Sequence, residues 1–327
     1  MVLVTLTKEI RIMKNSLTFR GALLLVVLAL ITTQSCKQKQ VENSPIIAMT
    51  DEVEKAPSKK TVTEEFKKYW YSGEAEISSY SLNQARYGEM RRGNAVLIYV
   101  TEPFHAIKQV KADQNNSDNI PVLKLNSTKN YLTGIYPYSI MSSSFYPVHD
   151  SQHALKVSFS SQEWCGQVYA QLNNKDLFEI KSHSYFESEG DEHLELEKTI
   201  LENELWNKIR IDPNSLPTGF IEIIPSLEFI RLTHKELKSY SATATLTKEN
   251  TVSTYQIMYP ELERTLKINF TTSFPYTIES WSDSYKSGFG SNAKIMTSTA
   301  TKRKTIKSPY WQKNSNRFLP LRDSLGL

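Results

Sequence analysis

The chain has 327 residues, 39% hydrophobic and 23% charged, which is ordinary globular composition. Its 39 basic and 35 acidic side chains give +4, but residues 1–35 carry Lys8, Arg11, Lys14 and Arg20 against Glu9, leaving 35 against 34 in the remainder. A domain so near neutrality has no overall electrostatic attraction for nucleic acid, and with eleven glycines a collagen-like or Gly-rich low-complexity chain is excluded.

Gly21 to Ile31 is a run of eleven residues without a charge. A membrane-spanning helix needs roughly 20 apolar residues, so this run has the length of a signal-peptide core, with Lys14 and Arg20 as its positive n-region. Met13 heads a more usual leader, and the first twelve residues read as an upstream start. The core ends in Thr33-Gln34-Ser35-Cys36. This resembles the bacterial lipoprotein signal, in which a small residue precedes a cysteine that is diacylated and becomes the new N-terminus. Thr33 departs from the aliphatic residue usual at its place.

The chain has two cysteines, Cys36 and Cys165, and lipidation gives the first of them a role. Two or more acyl chains, at about 0.8 kcal/mol per buried methylene, hold a protein on a bilayer. The expected organisation is a signal peptide over 1–35, lipidated Cys36 with a polar tether to residue 60, and a β-rich domain over 61–327. That domain has room for two lobes around residues 195–209.

Thr61 or Thr63 caps a short helix with Phe66, Tyr69 and Trp70 on one face. From Gly73 the period changes to two, with Ala75, Ile77 and Ser79 alternating with Glu74, Glu76 and Ser78, the pattern of a half-buried strand. Arg92-Gly93-Asn94 reads as a hairpin turn before the apolar run Ala95–Val100. Further strands are expected at 121–125, 131–145, 154–159, 167–172 and 177–185. Leu201, Leu205 and Ile209 recur at helical spacing, giving one helix over 198–209, stopped by Asp212-Pro213. A second strand series covers 237–246, 253–258, 265–270, 276–281 and 294–300, and an irregular basic tail follows from Ser308. The fold class is therefore mainly β: a curved antiparallel sheet or incomplete barrel with a few helices.

Motifs for chemistry are sparse. His149 and His153 stand four apart, but they follow Tyr146-Pro147 and lead into a strand, so the spacing is not that of a helical zinc site. Glu187, Glu189, Asp191 and Glu192 offer oxygen ligands for a metal without the ordered spacing of an EF-hand; an acidic hairpin tip is the plainer reading. Cys165, between Trp164 and Gly166, has no base beside it and is expected to be a small buried core residue. Gly-x-Ser-x-Gly, P-loop and dinucleotide glycine patterns are absent. Charge is uneven: residues 187–204 hold eight carboxylates against Lys198, and residues 285–327 hold nine basic side chains against Asp323. Lys302, Arg303, Lys304 and Lys307 could form a surface for anionic lipid or an acidic partner.

The segments Tyr69–Ile77, Gln84–Glu89 and Ala95–Phe104, with Leu216-Pro217-Thr218-Gly219 and Ile224–Glu228, resemble an uncharacterised family of Bacteroidota envelope lipoproteins. Its members often carry the inherited label "septum formation inhibitor Maf". That label is a misnomer for this chain: Maf nucleotide pyrophosphatases are smaller cytosolic proteins with an N-terminal Ser-Pro-Arg-Arg-type loop, and Ser308-Pro309 here continues Tyr-Trp near the end. The strand pattern is also similar, at fold level, to the sheets of lipoprotein carriers that cradle acyl chains.

The expected function is a membrane-anchored, periplasm-facing envelope lipoprotein with a non-enzymatic binding role. Its partners are the membrane, through Cys36, and a lipid or envelope protein; no cofactor and no nucleic acid are implied. The alternatives are an envelope hydrolase using acidic residues near 183–197 and, by label alone, a Maf-type enzyme. An apolar, carboxylate-poor cavity would favour binding; paired buried carboxylates in a cleft would favour chemistry.

Overall fold

The computed structural model describes residues 61–114, 116–149 and 152–327; the leader, Cys36 and the tether lie outside the described residues. Helix α1 (Glu64–Trp70) begins where Thr63 Oγ1 accepts from the Phe66 amide at 3.1 Å, and it buries Phe66 and Trp70. The first strand series is β1 (Ala75–Arg86), β2 (Glu89–His105), β3 (Val110–Lys111), β4 (Asn119–Thr133), β5 (Tyr136–Pro147), β6 (Lys156–Glu163), β7 (Gly166–Asn174), β8 (Phe178–Ser184) and β9 (Glu192–Leu196). The short β10 (Ile200–Leu201) leads into α2 (Glu202–Ile211), followed by β11 (Gly219–Ile224) and α3 (Leu227–Thr233). The second series is β12 (Tyr240–Lys248), β13 (Val252–Tyr259), β14 (Arg264–Thr271), β15 (Ile278–Ser287) and β16 (Lys294–Ser308), and α4 (Leu321–Leu325) is the last element.

All sixteen strands belong to one curved, unclosed sheet, the mainly β architecture expected from the strand pattern. Its order is β10-β11-β12-β13-β14-β15-β16-β1-β2-β4-β5-β6-β7-β8-β9, with β3 beside β2. Neighbours in sequence pair as hairpins almost throughout. The two series join through β16 and β1, antiparallel, with Ala75 opposite Ser308 and Asn83 opposite Thr299. Helix α2 shows why the sheet must curve. Glu202 reaches Arg264 on β14, Arg210 reaches Glu76 on β1, and Asn207 donates to the Leu123 carbonyl on β4. Strands β14 and β4 are five neighbours apart in the order, about 24 Å across a flat sheet at normal spacing. One helix touches both only when the sheet wraps around it. Leu205 and Ile209 of α2 are fully buried in that concavity, each contributing about 1.5–3 kcal/mol through burial.

Several sequence expectations are corrected. Arg92-Gly93-Asn94 lies inside β2; the β1–β2 turn is Tyr87-Gly88, both residues at positive φ (56° and 76°), the geometry of a tight hairpin. Gly93 is there because β4 presses on it: a Cβ would sit 2.2 Å from the Asn130 carbonyl oxygen. The expected strand 131–145 is two strands folded at Gly134-Ile135, with Gly134 at φ 62°. Helix α2 starts at Glu202 rather than 198, because Ile200 and Leu201 pair with Ile223 and Ile224 in the one parallel contact among the described strands. Strand β1 is not half-buried but covered on both faces. Ala75 and Ile77 pack with Val100 under Leu325, and Glu76 and Tyr80 point into the main core. The chain after Ser308 is therefore no loose tail: α4 docks on β1, with Arg303 Nη1 donating to the Gly326 carbonyl at 2.9 Å.

Candidate functional site

Most inward positions of the sheet carry large buried side chains, among them Tyr80, Leu82, Leu97, Tyr131, Tyr138 and Ile140. In the middle of the concave face serine takes their place: Ser127 of β4 lies opposite Ser142 of β5, and Ser144 and Ser298 stand nearby. The volume these small residues do not fill is a cavity with about 810 Å³ of space between atoms, part of it continuous with solvent. Helix α2 supplies Glu202, Asn203 and Trp206 to its wall, and α3 supplies Glu228, Phe229 and Leu232. Helix α3 is set there by Ser226, whose Oγ accepts from the Phe229 amide at 3.2 Å.

The cavity is charged. Arg264, 1% exposed, grips two carboxylates with one guanidinium: Nη1 and Nη2 lie 2.6 and 2.8 Å from Glu202, and Nε and Nη2 lie 2.8 and 2.9 Å from Asp283. Tyr259 Oη donates a further bond to Glu202 at 2.7 Å. The two acids respond oppositely. Burial raises the pKa of Glu202, but the charge and hydrogen bonds of Arg264 outweigh it and leave the group below its ordinary value. For Asp283 burial wins over Arg264, aided by repulsion from Glu202, and the group is raised. Lys129 Nζ holds Glu228 Oε1 at 2.7 Å and lies 6.0 Å from the centre of the Trp281 ring. Trp281 meets Trp206 edge to face at 5.4 Å.

Two polar atoms in this wall have no partner among the described residues: Gln84 Oε1 and Ser142 Oγ, on residues 3% and 9% exposed. The orientation of the Gln84 amide is fixed. Tyr285 Oη spends its proton on the Ala85 carbonyl at 2.9 Å and so accepts from Gln84 Nε2 at 3.0 Å, which leaves Oε1 as the bare acceptor.

No protein-family model, curated protein or solved structure matches this chain. The site must be read from its own chemistry.

The residues singled out in the sequence do not line this cavity. Glu187, Glu189 and Asp191 sit in the β8–β9 connection and Glu192 opens the edge strand β9. Glu189 accepts from His234 at 2.7 Å and Arg231 at 3.0 Å, while Asp191 lies 3.3 Å from His183. No grouping of three or more His, Cys, Asp or Glu suited to a metal occurs among the described residues. The charges of β9 instead discourage edge-to-edge pairing. Lys302, Arg303, Lys304 and Lys307 do not share one face. Lys302 pairs with Glu279, Arg303 reaches Ser81, Asn94 and Gly326, and Lys307 bonds the Tyr69 carbonyl and Ser72; Lys304 is exposed. His153 approaches Glu204 at 3.1 Å and His149 approaches Tyr71 at 3.3 Å, so the two imidazoles face different partners. Cys165 is exposed at the β6–β7 turn rather than buried, and Glu163 raises its thiol pKa, by hydrogen bonding first and then by charge. Cys36 lies outside the described residues.

Sequence reasoning missed Arg264, Asp283 and the inward role of Glu202. A signal was present for two of them. Arg264 shares its strand phase with Leu266, Ile268 and Phe270, and Asp283 shares its phase with Trp281 and Tyr285. A charge in step with an apolar face belongs inside and needs a partner there.

Proposed function

We propose that the chain is an envelope lipoprotein held to a membrane through Cys36, with a non-enzymatic binding role, and that its ligand occupies the concave-face cavity. The observation that carries the binding half is the unfilled, amphiphilic space under α2 and α3, where Trp206, Phe229 and Leu266 alternate with Ser127, Ser142 and Gln84. The cavity is not carboxylate-poor, since Glu202, Glu228 and Asp283 line it, but these carboxylates speak less for hydrolysis than their number suggests. Glu202 is held by Arg264 and Tyr259, Asp283 by Arg264 and Glu228 by Lys129, so each is engaged within the fold. The acidic residues of 183–197 do not reach the cavity. Nucleotide chemistry is disfavoured as well, since Lys129 and Arg264 face three carboxylates and offer phosphates no positive surplus.

A hydrolase reading keeps one support, Asp283, whose raised pKa beside a lowered Glu202 is the arrangement that separates an acid from a base. Native mass spectrometry of the protein purified from its own membranes decides between them. A retained intact molecule, lost when Ser127→Trp fills the cavity, is the expected result; conversion of that molecule to products favours the hydrolase. The anchor is tested by Cys36→Ser, which should leave the protein in the soluble envelope fraction, whereas retention on membranes after a salt wash would place the anchor elsewhere.

A further inference from the structure

We infer that the ligand of this cavity is a neutral polyhydroxylated molecule, a saccharide, and neither an acyl chain nor an ion. The inference rests on the cavity being a binding site, as proposed above, and adds the class of ligand it takes. Hydrocarbon is excluded by what it would touch. An acyl chain filling the space would strip solvent from Asp283, Glu228 and Lys129, whose side chains are 19%, 14% and 16% exposed, and give them no hydrogen bond in return. Charged ligands fail for a different reason. An anion would meet three carboxylates and two cations, a net repulsion when Asp283 is ionised. A cation would find every carboxylate of the wall already engaged, two by Arg264 and one by Lys129.

The vacancies in the hydrogen-bond inventory are uncharged. Gln84 Oε1 needs a donor, and Ser142 Oγ can both give and take one hydrogen bond. Both atoms are closed to solvent as the side chains stand, so a hydroxyl meets them only when the side chain turns toward the cavity, which for Ser142 takes rotation about one bond. Hydroxyl groups also suit Asp283, whose two oxygens keep lone pairs beyond the bonds they accept from Arg264, and Lys129, which has protons beyond the one it gives Glu228. A pyranose adds a face of C–H groups. Trp206 is partly exposed and wedged edge to face against Trp281, so it offers a rigid ring for that face.

The experiment is a titration of the full-length chain carrying Cys36→Ser, followed by tryptophan fluorescence. Its probes are neutral mono- and disaccharides (glucose, galactose, mannose, N-acetylglucosamine, maltose, cellobiose, chitobiose), with lauric acid and putrescine as probes of the excluded classes. At least one saccharide should produce a saturating change that Trp206→Phe alters. Ser142→Ala should weaken that binding about tenfold while leaving the melting midpoint of the free protein unchanged or higher, because the hydroxyl it removes is unpartnered. A merely structural serine would show the reverse. Ser127→Trp should abolish binding. Should that variant misfold, Gln84→Leu, which removes the bare acceptor, gives a second reading against its own melting midpoint. Lauric acid or putrescine binding that Ser127→Trp blocks, without saccharide binding, overturns this inference and leaves the cavity reading standing. Saccharide binding that survives Ser127→Trp, or no binding by any probe, overturns both.

Discussion

Arg210 of α2 and Glu76 of β1 meet two-pronged inside the concavity, Nη1 and Nη2 each 2.7 Å from a carboxylate oxygen, both side chains 1% exposed. The pair is fully bonded. Tyr69 Oη donates to Glu76 at 2.5 Å, Arg210 Nε donates to the Pro275 carbonyl at 2.9 Å, and the guanidinium lies 4.9 and 4.6 Å from the Trp70 and Tyr99 rings. It ties α1, α2 and β1 together at the point where the two strand series join.

Breaking this pair from one side strands a buried charge. Arg210→Met and Glu76→Gln should each lower the unfolding free energy by about 3–5 kcal/mol in urea denaturation. The double variant Glu76→Gln with Arg210→Met leaves no orphan charge and should lose much less than the two single losses combined. Strict additivity of the two would show that the residues do not interact energetically.

The buried carboxylates also set the acid limit of stability, and their signs differ. Glu76 and Glu202 are raised by burial but lowered further by Arg210 and Arg264, so both lie below 4.5 in the folded chain. The stability they contribute is fully present above the unfolded value and lost as pH falls through the lower folded values. Asp283 is raised above 3.8, so the folded chain takes its proton first, and acidification favours folding at this one site. Melting midpoints should therefore fall below about pH 4.5, and Asp283→Asn should make that fall steeper. A shallower acid slope in Asp283→Asn would reverse the assignment of which acid is raised.

What could be read from the sequence was whatever one short segment decides alone. Thr63 and the apolar residues behind it mark α1, alternation marks most strands, and Asp212-Pro213 stops α2. What could not be read depends on residues far apart. Glu202 meets Arg264 across 62 positions and Glu76 meets Arg210 across 134, so neither acid announces its burial locally. Within the run 187–204, Glu192 stays on an exposed edge strand while Glu202 and Glu204 turn inward on α2, a division no composition count contains. Helix α3 was missed because seven residues hold too little periodicity, although Ser226 before Leu227-Glu228 is a capping signal. The serines that open the cavity read, in sequence, as ordinary polar alternation.

Gly93 gives a direct check on the register of β2 against β4. Its Cα faces Tyr131 across the pair, and an added methyl would press 2.2 Å from the Asn130 carbonyl oxygen and 2.8 Å from Tyr131 Cβ. Because the first obstacle is backbone, the strands must part rather than a side chain turn away. Gly93→Ala should cost about 1–3 kcal/mol, read as a lower urea midpoint at unchanged slope. The same substitution at Gly190, where no atom lies within 4 Å, meets only the strain of its φ of 58° and should cost less. Equal losses at the two positions would mean that β2 and β4 are not in this register.

Cys165 supplies a chemical check on the β6–β7 turn. The thiol is exposed, and Glu163 both accepts from the Cys165 amide at 2.7 Å and raises the thiol pKa, so the sulfur is accessible but less often a thiolate than an isolated cysteine. In a Cys36→Ser chain a disulfide reagent should therefore modify one thiol without denaturant, with the midpoint of its pH–rate curve above that of free cysteine. Glu163→Gln removes the negative charge and should move that midpoint down while the thiol stays equally accessible. The sign matters, because an activated nucleophile would show the opposite baseline, a midpoint already below free cysteine, and removing the carboxylate would then move it little. A thiol that reacts only after unfolding would mean that the turn is covered in the folded protein.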